Sequence, residues 1–217
     1  MEMMKLLFGP QIYHTNILRS MQNIELNIQK YDKYFITEDY VTSNSRDYFN
    51  NIEKILGHGV KLLQFRSKNL SEEQYANVSM KIYDICKKYN SLFFINDLKN
   101  YRLNKYCHGI HLTSENLLKF DYSILKKKHL IAASCHNKTE INICNKISVN
   151  FIVTSPIHDT GEKIGLGWKR FKDFVIYSNS PVFALGGMNY SRDIYNVKKY
   201  GGQGIAAISY FYELFDT

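Results

Sequence analysis

Much of what commonly declares a protein's task is missing from this sequence. No run of apolar residues approaches the roughly 18 needed to cross a bilayer. The opening MEMMKLLFGPQIYHTN lacks the apolar stretch and cleavage site of a secretory signal, so the expected compartment is the cytoplasm. Four cysteines are present, Cys86, Cys107, Cys135 and Cys144. They show no CxxC spacing and no histidine cluster at zinc-ligand spacing, and so read as free thiols. The net charge is +8, yet the lysines are scattered and the longest basic run is Lys126 to Lys128. No stripe suits nucleic acid, and a phosphorylated small molecule is the more economical anionic partner. No glycine-, serine- or proline-rich linker divides the chain after residue 32. No glycine-rich dinucleotide fingerprint follows the first apolar run, which argues against an open doubly wound sheet.

What is present is an alternation. With 217 residues, 45% of them hydrophobic and 22% charged, the chain can bury a substantial core. Short apolar runs recur as YFIT (34–37), VKLLQFR (60–66), LFFIND (92–97), GIHL (109–112), LIAAS (130–134), FIVTS (151–155), VFALG (182–186) and GIAAIS (204–209). Between most of them lies helical patterning. Ser71, then Glu72 and Glu73, then Tyr75, Val78, Ile82 and Ile85 predict an N-capped helix running to about Tyr89. Weaker patterns fall near 46–56, 139–147, 169–178 and 191–200. Parallel strands need crossovers and a helical cover, so the alternation predicts a closed (βα)8 TIM barrel over residues 33–217. Residues 1–32 stand outside the repeat as an N-terminal extension: a plug for the barrel's bottom, a dimer arm or the remnant of a preceding domain.

Barrels of this kind gather chemistry at the C-terminal ends of their strands. Those ends supply Gln64, Arg66 and Lys68 after the second strand, Asn96 and Asp97 after the third, and His111 to Asn116 after the fourth. Ser134 and His136 follow the fifth, SPIHDTGEK the sixth, a glycine pair the seventh, and Ser209 closes the eighth. Period-two geometry puts Gln64, Arg66 and Lys68 on one face, with Leu63 and Phe65 toward the helices. Cations buried there need an anion, either an internal partner such as Asp97 or an anionic substrate. Asp97 is also a candidate ligand for Mg²⁺, which takes one or two carboxylates together with substrate phosphate oxygens. The glycine pair Gly186 and Gly187, with the end of the eighth strand, suits a phosphate cradle.

At this point the residues resemble a known family, thiamine phosphate synthase and its relatives the thiazole tautomerases. The likeness covers roughly residues 33–210 through YFIT, QFRSK, FFIND, GIHL, SCH, SPIHDTGEK, VFALGGM and GIAAIS in family order. HLTSENL, AASCHN, LGW at 166–168 and GGQGIAAI look like the synthase-like domain found fused to Nudix hydrolases, and HTNILRSMQ is similar to the tail joining the two domains there. No Nudix box occurs in the chain, so pyrophosphohydrolase activity is not expected; a homo-oligomer and a separate Nudix hydrolase are the macromolecular partners considered.

The resemblance implies a transferase that joins hydroxymethylpyrimidine pyrophosphate to thiazole phosphate and releases pyrophosphate. It implies that Gln64, Arg66, Lys68 and Asn96 hold the pyrimidine and its pyrophosphate, with Ser134 nearby. Asp97 would bind Mg²⁺, Thr160 and Lys163 would contact the leaving pyrophosphate, and Gly186, Gly187, Ile208 and Ser209 would cradle the thiazole phosphate. The family's second metal-binding aspartate corresponds to Asn116, and Glu162 stands at a threonine position near the pyrophosphate. Two alternatives follow from the same residues. His136 in SCH would serve a thiazole tautomerase as proton shuttle. Asn116 and Glu162 would suit a barrel that binds a phosphorylated ligand without turnover.

Overall fold

The computed structural model describes residues 28–97, 106–119, 129–161 and 163–214. Lys126 to Lys128, Glu162 and residues 1–27 of the N-terminal extension lie outside them. Eight parallel strands close in chain order, with β1 paired to both β2 and β8. They are β1 (Lys33–Ile36), β2 (Leu62–Phe65), β3 (Leu92–Asn96), β4 (Gly109–Leu112), β5 (Leu130–Cys135), β6 (Phe151–Thr154), β7 (Val182–Ala184) and β8 (Gly204–Ala207). Around them run α1 (Ser45–Gly57), α2 (Glu72–Lys88), α3 (Ser114–Lys119), α4 (Lys138–Ile147), α5 (Gly167–Tyr177), α6 (Tyr190–Lys199) and α7 (Ser209–Glu213). The open-sheet alternative is excluded by the closure of β8 onto β1.

Local sequence explains where the helices start. Ser71 and Gln74 form a reciprocal capping box at the head of α2, each side chain bonding the other's backbone N–H. Asn137 and Asn189 cap α4 and α6 by accepting the N–H of Glu140 and Arg192. The short α3 had no prediction from the sequence; Thr113 and Asn116 exchange side chain-to-backbone bonds across its first turn.

Alternation sorts the strands into two apolar layers. One face of every strand packs outward against the helices, as Phe35, Leu63, Phe93, Ile110, Ala133, Ile152 and Ala184 do. The other face fills the barrel with Tyr34, Leu62, Phe94, Leu130, Ala132, Phe151, Phe183 and Ala206. Phe151 sits at its centre, edge-to-face with Tyr34 at 5.0 Å and with Phe94 at 5.3 Å, and 5.2 Å from Phe183. Gly109 leaves room for this layer, since a Cβ there would lie 2.6 Å from the Phe94 ring. Ile28, 1% exposed, joins the same cluster, and Gln203 donates to the carbonyls of Gln29 and Tyr31. All four cysteines are free and buried. Among the described residues no helix is long and apolar enough to cross a membrane.

Candidate active site

Above the aromatic layer the inward positions turn polar: Leu62 gives way to Gln64, Phe94 to Asn96, Ala132 to Ser134 and Val153 to Ser155. They open into a cavity of about 480 Å³ at the C-terminal ends of the strands. Its walls bring together ten of the thirteen residues singled out from the sequence. Gln64, Arg66, Lys68, Asn96, Asp97 and Ser134 form one part of it, and Thr160, Lys163, Gly186 and Ile208 another. Ile36, His111, Thr113, Ser155, Pro156 and Leu185 complete the lining. A separate groove of about 660 Å³ runs over α1 and Tyr89 and contains no strand-end residue.

Three proposed residues lie off this wall. Period-two counting would aim His136 inward, but β5 ends at Cys135 and the chain turns there into α4. The His136 N–H donates to Glu140, its Nδ1 lies 2.8 Å from the Ser155 carbonyl, and the side chain is exposed beside Lys138 and Arg170. Gly187 and Ser209 are exposed at the rim, where Leu185, Gly186 and Ile208 take the wall positions. The expected burial of two cations is also corrected. Strand β2 stops at Phe65, so Arg66 is half-buried and Lys68 exposed; of the three polar residues only Gln64, at 2% exposure, is buried. Among the described residues no salt bridge joins Arg66 to Asp97.

The preceding loop fixes this segment. Thr37 Oγ1 accepts the Arg66 N–H at 3.1 Å, Asp39 accepts the Lys68 N–H at 2.8 Å, and Ser67 Oγ accepts the Tyr40 N–H. Across the mouth, Thr160 and Lys163 exchange two backbone bonds of 3.0 Å, forming a tight hairpin that carries both side chains. Gly186 adopts φ +98°, and a Cβ there would meet Pro156 Cβ at 2.5 Å, so both backbone conformation and space require glycine. Asp97 is held at φ +74°, uncommon for a residue with a side chain, while its N–H donates to the His111 carbonyl.

His111 was named among the strand ends but was given no role there. It is 2% exposed and belongs to a chain of hydrogen bonds across the cavity floor. The Gln64 amide donates to the Tyr34 hydroxyl at 3.1 Å, so that hydroxyl turns its own proton to His111 Nδ1, also at 3.1 Å. In that arrangement the His111 hydrogen sits on Nε2 and points to Ser134 Oγ, 2.8 Å away. Burial, reinforced by the Arg66 charge, pushes His111 down to about 3, which keeps the ring neutral near pH 7. The sequence signal was its inward register, paired with Asn96 on β3.

For a divalent cation the donors are few. Among the described residues no cluster of three or more His, Cys, Asp or Glu gathers. Asn116, at the second aspartate position, is absent from the cavity wall and exchanges bonds with Thr113. Among the described residues of the cavity wall only Asp97 carries a carboxylate, a set that fits Mg²⁺ arriving with phosphate oxygens.

Fold and cavity together define a (βα)8 barrel with Arg66, Lys68 and Lys163 on the wall of the cavity at the C-terminal ends of its strands. The family model for thiamine monophosphate synthase matches residues 33–211. A thiamine-phosphate synthase of Fusobacterium nucleatum is 30% identical over 181 residues, covering 82% of this chain and 87% of that relative. One from Prochlorococcus marinus subsp. pastoris is 31% identical over 203 residues, covering 92% of this chain, which spans only 55% of that longer relative. The solved thiamine phosphate pyrophosphorylase of Pyrococcus furiosus shares the fold at a TM-score of 0.70, with 23% identity over 84% of this chain and 87% of that one. The chain belongs to the thiamine monophosphate synthase family.

Proposed function

We propose that the protein is a thiamine-phosphate synthase of the cytoplasm, joining hydroxymethylpyrimidine pyrophosphate to thiazole phosphate. The bond from the pyrimidine methylene to pyrophosphate breaks, the thiazole nitrogen takes its place, and thiamine phosphate and pyrophosphate leave. The observation that carries this reading is the convergence of Arg66, Lys68, Lys163 and Asp97 on one cavity that also contains the Gly186 turn.

The leaving pyrophosphate gains charge as the methylene becomes cationic. Arg66 and Lys68 stand on one side of the cavity and the Thr160–Lys163 hairpin on the other, so the departing anion is met from both. Gln64 and Ser134, locked by Tyr34 and His111, orient the pyrimidine ring from below. Gly186 and Ile208, with Gly187 and Ser209 at the rim, receive the thiazole phosphate through backbone N–H groups. Asp97 would hold Mg²⁺, which when bound neutralises pyrophosphate charge. No protein nucleophile is needed. The tautomerase reading requires His136 in the cavity, and its place outside favours the synthase.

The test is pyrophosphate release from the two substrates with and without Mg²⁺, beside Asp97→Ala. Mg²⁺-dependent release that the variant loses is the expected outcome. Thiazole phosphate binding without release would replace the synthase with a non-catalytic binder.

A further inference from the structure

One buried carboxylate has no part in the chemistry above. Asp193, on the first turn of α6, is 2% exposed and faces the two loops that carry the anion-binding residues. It accepts the Asn189 N–H at 2.9 Å and two bonds from Arg192, at 3.0 and 2.7 Å. The same Arg192 guanidinium donates to the Gly187 carbonyl at 2.7 Å, so the carboxylate is wired to the glycine turn. From the opposite side His158 Nε2 approaches Asp193 Oδ1 at 3.3 Å.

His158 occupies a hinge position. Among the described residues the backbone bonds from Ile157 to Leu185 and from His158 to Gly186 are the last that tie the loop after β6 to the end of β7. Two residues further on begins the hairpin that holds Thr160 and Lys163. Asp159 closes the loop on itself by accepting the Gly165 N–H at 2.7 Å. The hairpin is thus an internally braced unit, and the His158 side chain joins its base to α6. A Cβ on Gly187 would lie 3.0 Å from His158 Cβ, so the glycine turn and the hinge already touch.

We propose that Asp193, His158 and Arg192 form a clamp that fixes the Lys163 hairpin relative to the glycine turn, making Asp193 and His158 positioning residues for the pyrophosphate-binding half of the site. A hairpin held at its base presents Lys163 to the anion without first losing the freedom to swing, and that saving is realised as affinity. The inference rests on the synthase reading for its substrate. The clamp can nevertheless be tested without turnover, because Trp168, the single tryptophan of the chain, packs edge-to-face on the His158 ring at 5.5 Å and reports on it.

The experiment compares wild type with His158→Ala, His158→Gln, Asp193→Asn and the Ala/Asn double variant. Two quantities are measured: KM and kcat for the pyrimidine pyrophosphate, and binding of inorganic pyrophosphate with Mg²⁺ followed by Trp168 emission. His158 is one-third exposed, so His158→Ala should melt like wild type even where Asp193→Asn does not fold. The expected result is about a tenfold rise in KM and a matching loss of pyrophosphate affinity in His158→Ala, with kcat changed much less. His158→Gln, which keeps a donor toward Asp193, should recover most of it. The double variant should be no worse than the poorer single. Unchanged pyrophosphate affinity in His158→Ala, no recovery with glutamine, or additive losses in the double variant would each overturn the clamp. If wild type makes no thiamine phosphate yet its pyrophosphate affinity falls in His158→Ala, the synthase reading fails and the clamp stands. If wild type turns over and His158→Ala binds and reacts as well, the clamp fails alone.

Discussion

Replacing His111 by glutamine should flatten the acid side of the protein's stability profile. In the folded chain His111 gains a proton only near pH 3, because burial and the Arg66 charge oppose it. In the unfolded chain it does so at the ordinary histidine value of about 6.5. Between those values the unfolded state binds more protons, so stability falls as the pH is lowered, starting at the unfolded value and levelling off below the folded one. The loss is about 2 kcal/mol at pH 5 and about 3 kcal/mol at pH 4. For a chain of this length 2 kcal/mol lowers Tm by roughly 4 to 8 °C. Melting curves between pH 8 and pH 5 would compare wild type with His111→Gln, which keeps a polar group toward Ser134 but cannot titrate. His108, also lowered by burial and by His129, contributes to both proteins and cancels. The variant starts less stable at pH 8 but should lose less on acidification. Parallel profiles would refute the neutral, buried imidazole and with it the tautomer deduced for the Tyr34–His111–Ser134 chain.

Two further outcomes follow. Lys163→Ala, on an exposed hairpin, should leave the melting temperature in place while lowering kcat about a hundredfold, since it removes a charge that meets the leaving pyrophosphate; an unchanged kcat would place the anion elsewhere. Gly186→Ala forces a side chain to φ +98° and against Pro156, and should cost about 2 to 4 kcal/mol in chemical denaturation and weaken thiazole phosphate binding. A variant as stable as wild type would show that the turn relaxes freely.

The barrel was legible because hydrophobic period and length agree in nearly every segment. The run LIAAS became Leu130–Cys135, and the pattern from Ser71 to Tyr89 became Glu72–Lys88 with its predicted cap. The helix Ser114–Lys119 was not, because six residues make less than two turns and leave only Leu117 to bury. Two expectations at the site, the burial of both cations and the place of His136 in the cavity, failed beyond the last residue of a strand. Beyond Phe65 the facing persists, since Gln64, Arg66 and Lys68 all line the cavity, but the strand's burial does not, so Lys68 reaches water; beyond Cys135 the chain turns, so His136 leaves the cavity. His111 was visible at a strand end, but its role was not. A polar residue inside GIHL shows its meaning only when Tyr34 and Ser134, far apart in sequence, are seen to bracket it.

The stacking of an aromatic floor beneath a polar ceiling divides the interior into two storeys with separate duties. Phe94, Phe151 and Phe183 hold the lower storey shut, while Asn96, Ser134 and Ser155, two residues further along or at the strand's exit, face whatever enters from above. A library confined to the upper positions would therefore sample new ligands on an unaltered foundation. One confined to the lower positions would sample melting temperature with the reaction held fixed. Inheritance can work the same way: a barrel of this plan can exchange one chemistry for another by changing a single ring of side chains, without ever passing through an unfolded ancestor.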